Sequence, residues 1–151
     1  MIKRRRALQA LSAAACVVGI GDWSLALAQA NERLALKGYD PVAYFTDAKP
    51  TPGVAAYELV WDGQRYRFAS AEHRDLFKAN PEKYAPQFGG SCTMNMANGV
   101  RRESDPNNWV ISNGNLYVFA GAAGPENFRQ HPEAAGKAAA NWQRLKSTAT
   151  Q

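Results

Sequence analysis

Cys92, Met94 and Met96 stand two residues apart in the run Gly89 to Gly99, GGSCTMNMANG. Apart from the initiator, these are all the methionines of the chain. One thiol and two thioethers are soft donors, which select Cu(I) over zinc, magnesium or calcium. His73, in AEHRDLFKAN, is the best-placed nitrogen donor. The candidate metal ligands are therefore Cys92, Met94, Met96 and His73. A second reading also stands. Residues two apart share one face of a strand, so the three sulfur side chains could simply pack a core. A third reading makes Cys92 a redox thiol.

Zinc chemistry is not indicated, because no C-x-x-C and no second histidine at ligand spacing occur. His131, beside Pro132, reads as a surface residue. No Ser-His-Asp arrangement, G-x-S-x-G, phosphate loop or paired-carboxylate motif is present. The sequence thus points away from hydrolysis and, on balance, away from an enzyme.

The elements that must position these groups follow from turn and period signals. Tyr57–Trp61 and Gln64–Phe68 flank Asp62-Gly63, and Trp109–Ser112 and Leu116–Phe119 flank Asn113-Gly114. Each Asx-Gly pair between β-rich runs predicts a hairpin. Ser70 reads as the N-cap of a helix over 71–80, followed by a short turn of helix or a loop over 81–86. Helices are also expected over 125–130 and 132–146, where Trp142 and Leu145 share a face. Asp40-Pro41 is turn chemistry, and Val42, Tyr44 and Phe45 anchor that turn or start a short strand. Tyr39, Asp40, Tyr44, Tyr66, Tyr84 and Trp109 read as core and turn residues, with some aromatic rings lining a pocket around the Gly89-Gly90 pair. No internal repeat of fixed period is apparent, although the two hairpins look alike. The fold class is α+β: small antiparallel hairpins packed against two or three helices in one domain.

Residues 1–30 read as a cleavable export signal. MIKRRR is a basic start, ALQALSAAACVVGI an apolar run, and Ala28-Gln29-Ala30 a cleavage signal. Arg4 to Leu8 is compatible with a twin-arginine signal. Cleavage after Ala30 would leave a domain over 31–151 with Cys92 as its one cysteine, hence no internal disulfide. The net charge of +5 falls to about +2 without Lys3, Arg4, Arg5, Arg6 and Asp22. The remaining basic residues are scattered, so no nucleic-acid footprint is indicated. The expected location is periplasmic, with no integral membrane segment after cleavage.

GYDPVAYF, YRFASAEHRDLFKANPEKYAPQFGGSC, DPNNW and NGNLYVF occur in that order. This series resembles the exported YHS domain-containing protein family, from about Leu36 to Leu145. Smaller relatives carry F-C-S-x-x-C after the first hairpin, and the resemblance implies heavy-metal binding through those cysteines. Here the run is Phe68-Ala69-Ser70-Ala71-Glu72-His73, so that two-cysteine site is absent. The family's characteristic cysteine after the Gly pair corresponds to Cys92, a position where some members carry selenocysteine. The resemblance implies reactive or metal-binding chemistry at Cys92, with a metal ion or a metal-trafficking protein as partner.

Overall fold

A computed structural model describes residues 33–149; the expected export signal, with Cys16, lies outside the described residues. The two Asx-Gly pairs do close hairpins. Asp62 and Gly63 have φ of 46° and 69°, and Asn113 and Gly114 have 50° and 77°. Positive φ at both central residues matches the twist of the flanking strands. Strand β1 (Arg33–Leu34) pairs in parallel with β3 (Gln64–Phe68), which pairs antiparallel with β2 (Val54–Trp61). Strands β4 (Asp105–Ser112) and β5 (Asn115–Phe119) form the second hairpin.

Among the described residues, six helices pack on these sheets: α1 (Ala43–Thr46), α2 (Ala71–Ala79), α3 (Pro81–Tyr84), α4 (Thr93–Ala97), α5 (Gly124–Gln130) and α6 (Ala134–Ala149). The α+β class expected from the sequence is the one observed. Ser70 caps α2, accepting the His73 amide at 3.1 Å. Ser70→Ala is expected to lower stability by about 1 kcal/mol, measured as a shifted urea midpoint. Among the described residues, no helix is long and apolar enough to cross a membrane.

Two expectations are corrected. Cys92, Met94 and Met96 do not share a strand face. The Met96 amide bonds the Cys92 carbonyl at 2.9 Å, winding Thr93–Ala97 into helix α4. TMNMA lacks a β-branched run, its Met and Ala are good helix formers, and Asn98-Gly99 supplies a stop. Two residues along a helix turn through about 200°, so Met94 and Met96 point to opposite sides. Val42 to Phe45 likewise enters a helix rather than a strand.

The second correction concerns repetition. Val54 pairs with Phe68, Glu58 with Arg67 and Trp61 with Gln64. Asp105 pairs with Phe119, Trp109 with Val118 and Ser112 with Asn115, each 51 residues later and with the same bulge. Phe77 packs on Tyr66 and Phe68 at 4.8 and 5.2 Å. Phe128 packs on Tyr117 and Phe119 at 4.7 and 5.6 Å, in the same register. Each half also opens with a left-handed turn, at Leu36-Lys37-Gly38 and at Phe88-Gly89-Gly90. Each turn is followed by a bridge, Tyr39 to Pro52 and Ser91 to Glu103. The described residues form two copies of one unit, each a turn, a short helix, a hairpin and a helix. Few identical side chains mark the repeat in sequence, which is why only the hairpins show it there.

Each copy has its own core. Val42, Tyr66, Phe68, Phe77 and Tyr84 fill the first, and Phe88, Met96, Tyr117, Phe119 and Phe128 the second. Leu36, Tyr44, Leu116 and Val118 fill the seam between the first turn and the second hairpin.

Candidate functional site

The duplication puts Asp40 and Cys92 in equivalent places. Each follows its left-handed turn by two residues, and each backbone amide bonds the segment just before the first strand of its hairpin. Asp40 N donates to Thr51 O and Cys92 N to Arg102 O, both at 2.8 Å. The side chains then part company.

Asp40 is wholly buried. Its Oδ1 accepts from the amides of Val42 and Ala43 at 2.8 and 3.4 Å. Its Oδ2 accepts from the Ala69 amide at 2.8 Å and from His73 Nδ1 at 2.6 Å. The carboxylate thus ties α1, the end of β3 and α2 together, and four hydrogen bonds compensate its burial. The Nε2 of His73 lies 3.3 Å from Thr46 Oγ1. His73 is therefore neither a bare surface histidine nor a neighbour of Cys92. Asp40 holds one nitrogen, and the ring belongs to the first copy.

In the frame set by Phe77 and Phe128, the counterpart of His73 is Gly124. A Cβ there would lie 2.3 Å from the Phe119 Cβ. Phe119 thus occupies the place of a side chain here, and the second copy has an open pocket of about 270 Å³ beside Cys92. Met94, Asn95, Arg102, Gly124 and Asn127 also line it. The Cys92 side chain forms the floor and is 3% exposed. Its Sγ accepts from Asn95 Nδ2 at 3.0 Å. The flanking Ser91 and Thr93 hydroxyls are buried and have no hydrogen-bond partner among the described residues.

Met94 is half-buried and lines the same pocket, whereas Met96 is fully buried in the second core. Helix α6 holds this arrangement in place, since Asn141 Nδ2 donates to the carbonyls of Met96 and Ala97 at 3.0 and 3.1 Å. Of the four residues singled out by sequence, Cys92 and Met94 share one pocket. Met96 is packed beneath α4, and His73 is engaged with Asp40. Sequence reasoning missed Asn95, named Arg102 only as one of two arginines that could stand beside a redox-active Cys92, and read Asp40 as a core or turn residue without its partner His73. The duplicated turns LKGYD and FGGSC would have aligned Asp40 with Cys92. His131 is exposed and pairs with Glu133 at 3.4 Å, as its place beside Pro132 suggested.

The donor set is consistent with a soft metal. A thiol and a thioether facing one pocket suit Cu(I) and not a hard cation. Among the described residues no group of three or more His, Cys, Asp or Glu is placed to hold a metal ion.

Fold and site together define a two-copy α+β protein with a pocketed thiol in one copy and a carboxylate–histidine pair in the other. The family model described as YHS domain matches residues 42–88, which supports a YHS domain-containing protein. The match runs from α1 to the second turn. It includes His73 and stops short of Cys92. No curated protein and no solved structure matches the chain.

Proposed function

We propose that this chain is an exported YHS-domain protein that binds a soft metal ion, Cu(I), through Cys92 and Met94. It holds or passes on the metal rather than catalysing a reaction. The observation that carries this reading is the pocket in which both side chains face one space, floored by a hydrogen-bonded thiol. Two sulfur donors leave room on the ion for an incoming ligand, as a protein that surrenders its metal to a trafficking partner requires. His73 and Met96 are not needed, because one is paired with Asp40 and the other fills the second core. Cleavage after Ala30 would remove Cys16, so no internal disulfide would compete for Cys92 in the periplasm.

Metal analysis of protein recovered from the export compartment tests the proposal. The wild type and Met96→Leu should each carry about one copper per chain, and Cys92→Ser should carry none. Equal copper in wild type and Cys92→Ser would refute it. N-terminal sequencing of the same sample should begin at Asn31. A start at Met1 would refute the export reading.

A second reading is favoured by Arg102, whose position on the pocket suits a thiolate used in redox work. Under that reading the recovered protein is metal-free, and Cys92 is oxidised by peroxide at a rate that Arg102→Ala lowers.

A further inference from the structure

The opposite seam of the molecule is not filled. A cavity of about 370 Å³ lies where the β2–β3 turn, the Gln87–Gly90 turn and α6 meet. Its size falls in the range of small-molecule sites, about 300–1,000 Å³. We propose that this cavity binds an uncharged planar ring bearing an amide, held by the buried side-chain amide of Gln64. The inference is independent of any chemistry at Cys92, which lines a different pocket.

The cavity stands where the internal repeat is broken. Trp61 corresponds to Ser112. Trp142 has no counterpart, since α3 ends at Tyr84 whereas α6 runs on to Ala149. Gly89 corresponds to Lys37, which adopts φ of 52° with a full side chain, so the turn alone does not demand glycine. A Cβ on Gly89 would stand 2.8 Å from Gln64 Nε2 and 3.2 Å from the Trp142 ring. Glycine therefore lets the Gln64 amide lie against the turn. The matching seam, between the first turn and the second hairpin, is closed by Leu36, Tyr44, Leu116 and Val118.

Gln64 sets the polar group of the ligand. It lines the cavity and is 7% exposed. Its Nε2 donates to Gly89 O at 3.2 Å, and its Oε1 accepts from Tyr66 at 3.4 Å. A primary amide has two N–H groups and two carbonyl lone pairs, so one donor and one acceptor position remain. A second amide offers one of each in return. A carboxylate only accepts and an amidinium only donates, so either would leave one end of Gln64 unmatched.

The charges point to a neutral ligand. The buried lining residues Gln64, Tyr66, Ala85 and Phe88 carry none, and burial pushes the Tyr66 phenol further from ionisation. The carboxylates on the lining, Asp62 and Glu82, are exposed. Arg101 and Lys146 balance them, standing over the Trp142 ring at 5.2 and 6.0 Å, and Lys146 also pairs with Asp62 at 3.2 Å. An ion drawn down to Gln64 would lose water without meeting an opposite charge. Trp61, Tyr66 and Phe88 supply the aromatic surface for a flat ring.

Four probes of one shape test this: benzamide, acetophenone, benzamidine and benzoate, each titrated into the isotope-labelled full chain and followed by NMR. Benzamide should shift the Gln64 side-chain N–H signals saturably. It should bind about tenfold more tightly than acetophenone, which has a methyl in place of the amino group. Benzamidine and benzoate should bind more weakly than benzamide. In Gln64→Leu, benzamide should lose its advantage over acetophenone. Ala139 is an exposed lining residue on α6, so Ala139→Phe should block benzamide without unfolding the chain. Benzamide no tighter than acetophenone, a charged probe as tight as benzamide, a linear response, or full benzamide affinity in Ala139→Phe would overturn the proposal.

Discussion

Replacing Asp40 by alanine will cost about 3–5 kcal/mol of folding stability, among the largest effects a single side chain can have here. The carboxylate is fully buried and accepts three backbone amides and the His73 ring. Removing it leaves those donors inside the protein without an acceptor, and each orphaned buried group costs about 1–3 kcal/mol. Partial relaxation keeps the total below the simple sum. Asp40→Asn will not rescue the site, since an amide places N–H groups against donors that need an oxygen. Urea unfolding with an unchanged slope is the measurement. A loss of less than about 1 kcal/mol for Asp40→Ala would show that the carboxylate does not tie the first copy together. Cys92→Ala, at the equivalent place, deprives only Asn95 Nδ2 of its acceptor and should cost far less than Asp40→Ala.

The second large effect is on binding. Cys92→Ser should weaken Cu(I) affinity by at least about 100-fold. Losing a residue that merely supports a ligand already costs about 10–100-fold, and Cys92 is proposed as the ligand itself. Met94→Leu keeps the volume and removes the sulfur, so its effect should be smaller but clear, about tenfold or more. Met96→Leu makes the same chemical change on the other side of α4, inside the second core, and should leave affinity unchanged. Competition against a Cu(I) chelator under reducing conditions separates the three. Equal losses for Met94→Leu and Met96→Leu would mean that α4 responds to packing and not to coordination.

The hairpins were legible in the sequence because Asp62-Gly63 and Asn113-Gly114 require a backbone that few other pairs adopt. Ser70 and Pro81 marked the start of α2 and the break before α3 for equally local reasons. What was not legible depends on distance. Asp40 and His73 are 33 residues apart, and nothing local distinguishes a turn aspartate that stays in solvent from one that is drawn under a helix. The alternation of Cys92, Met94 and Met96 suggested a strand, because period-two spacing is a strand signal. The segment instead winds up between Gly90 and Gly99. Such a short run is settled by its docking on α6 through Asn141, which local propensity does not report.

The repeat was hidden for another reason. Tyr66, Phe68, Ala69, Phe77, Pro81 and Glu82 recur as Tyr117, Phe119, Ala120, Phe128, Pro132 and Glu133. These are packing and turn residues dispersed among dissimilar surfaces. Once the copies are aligned, the functional difference stands out. One copy puts a carboxylate and an imidazole together, while the other puts a thiol beside an open pocket.

X-ray absorption at the copper edge of the chain loaded with one equivalent of Cu(I) tests the proposed site most directly. A first shell dominated by sulfur, lost in Cys92→Ser and retained in Met96→Leu, is the predicted result. A shell of nitrogen and oxygen alone, unchanged in Cys92→Ser, would contradict it.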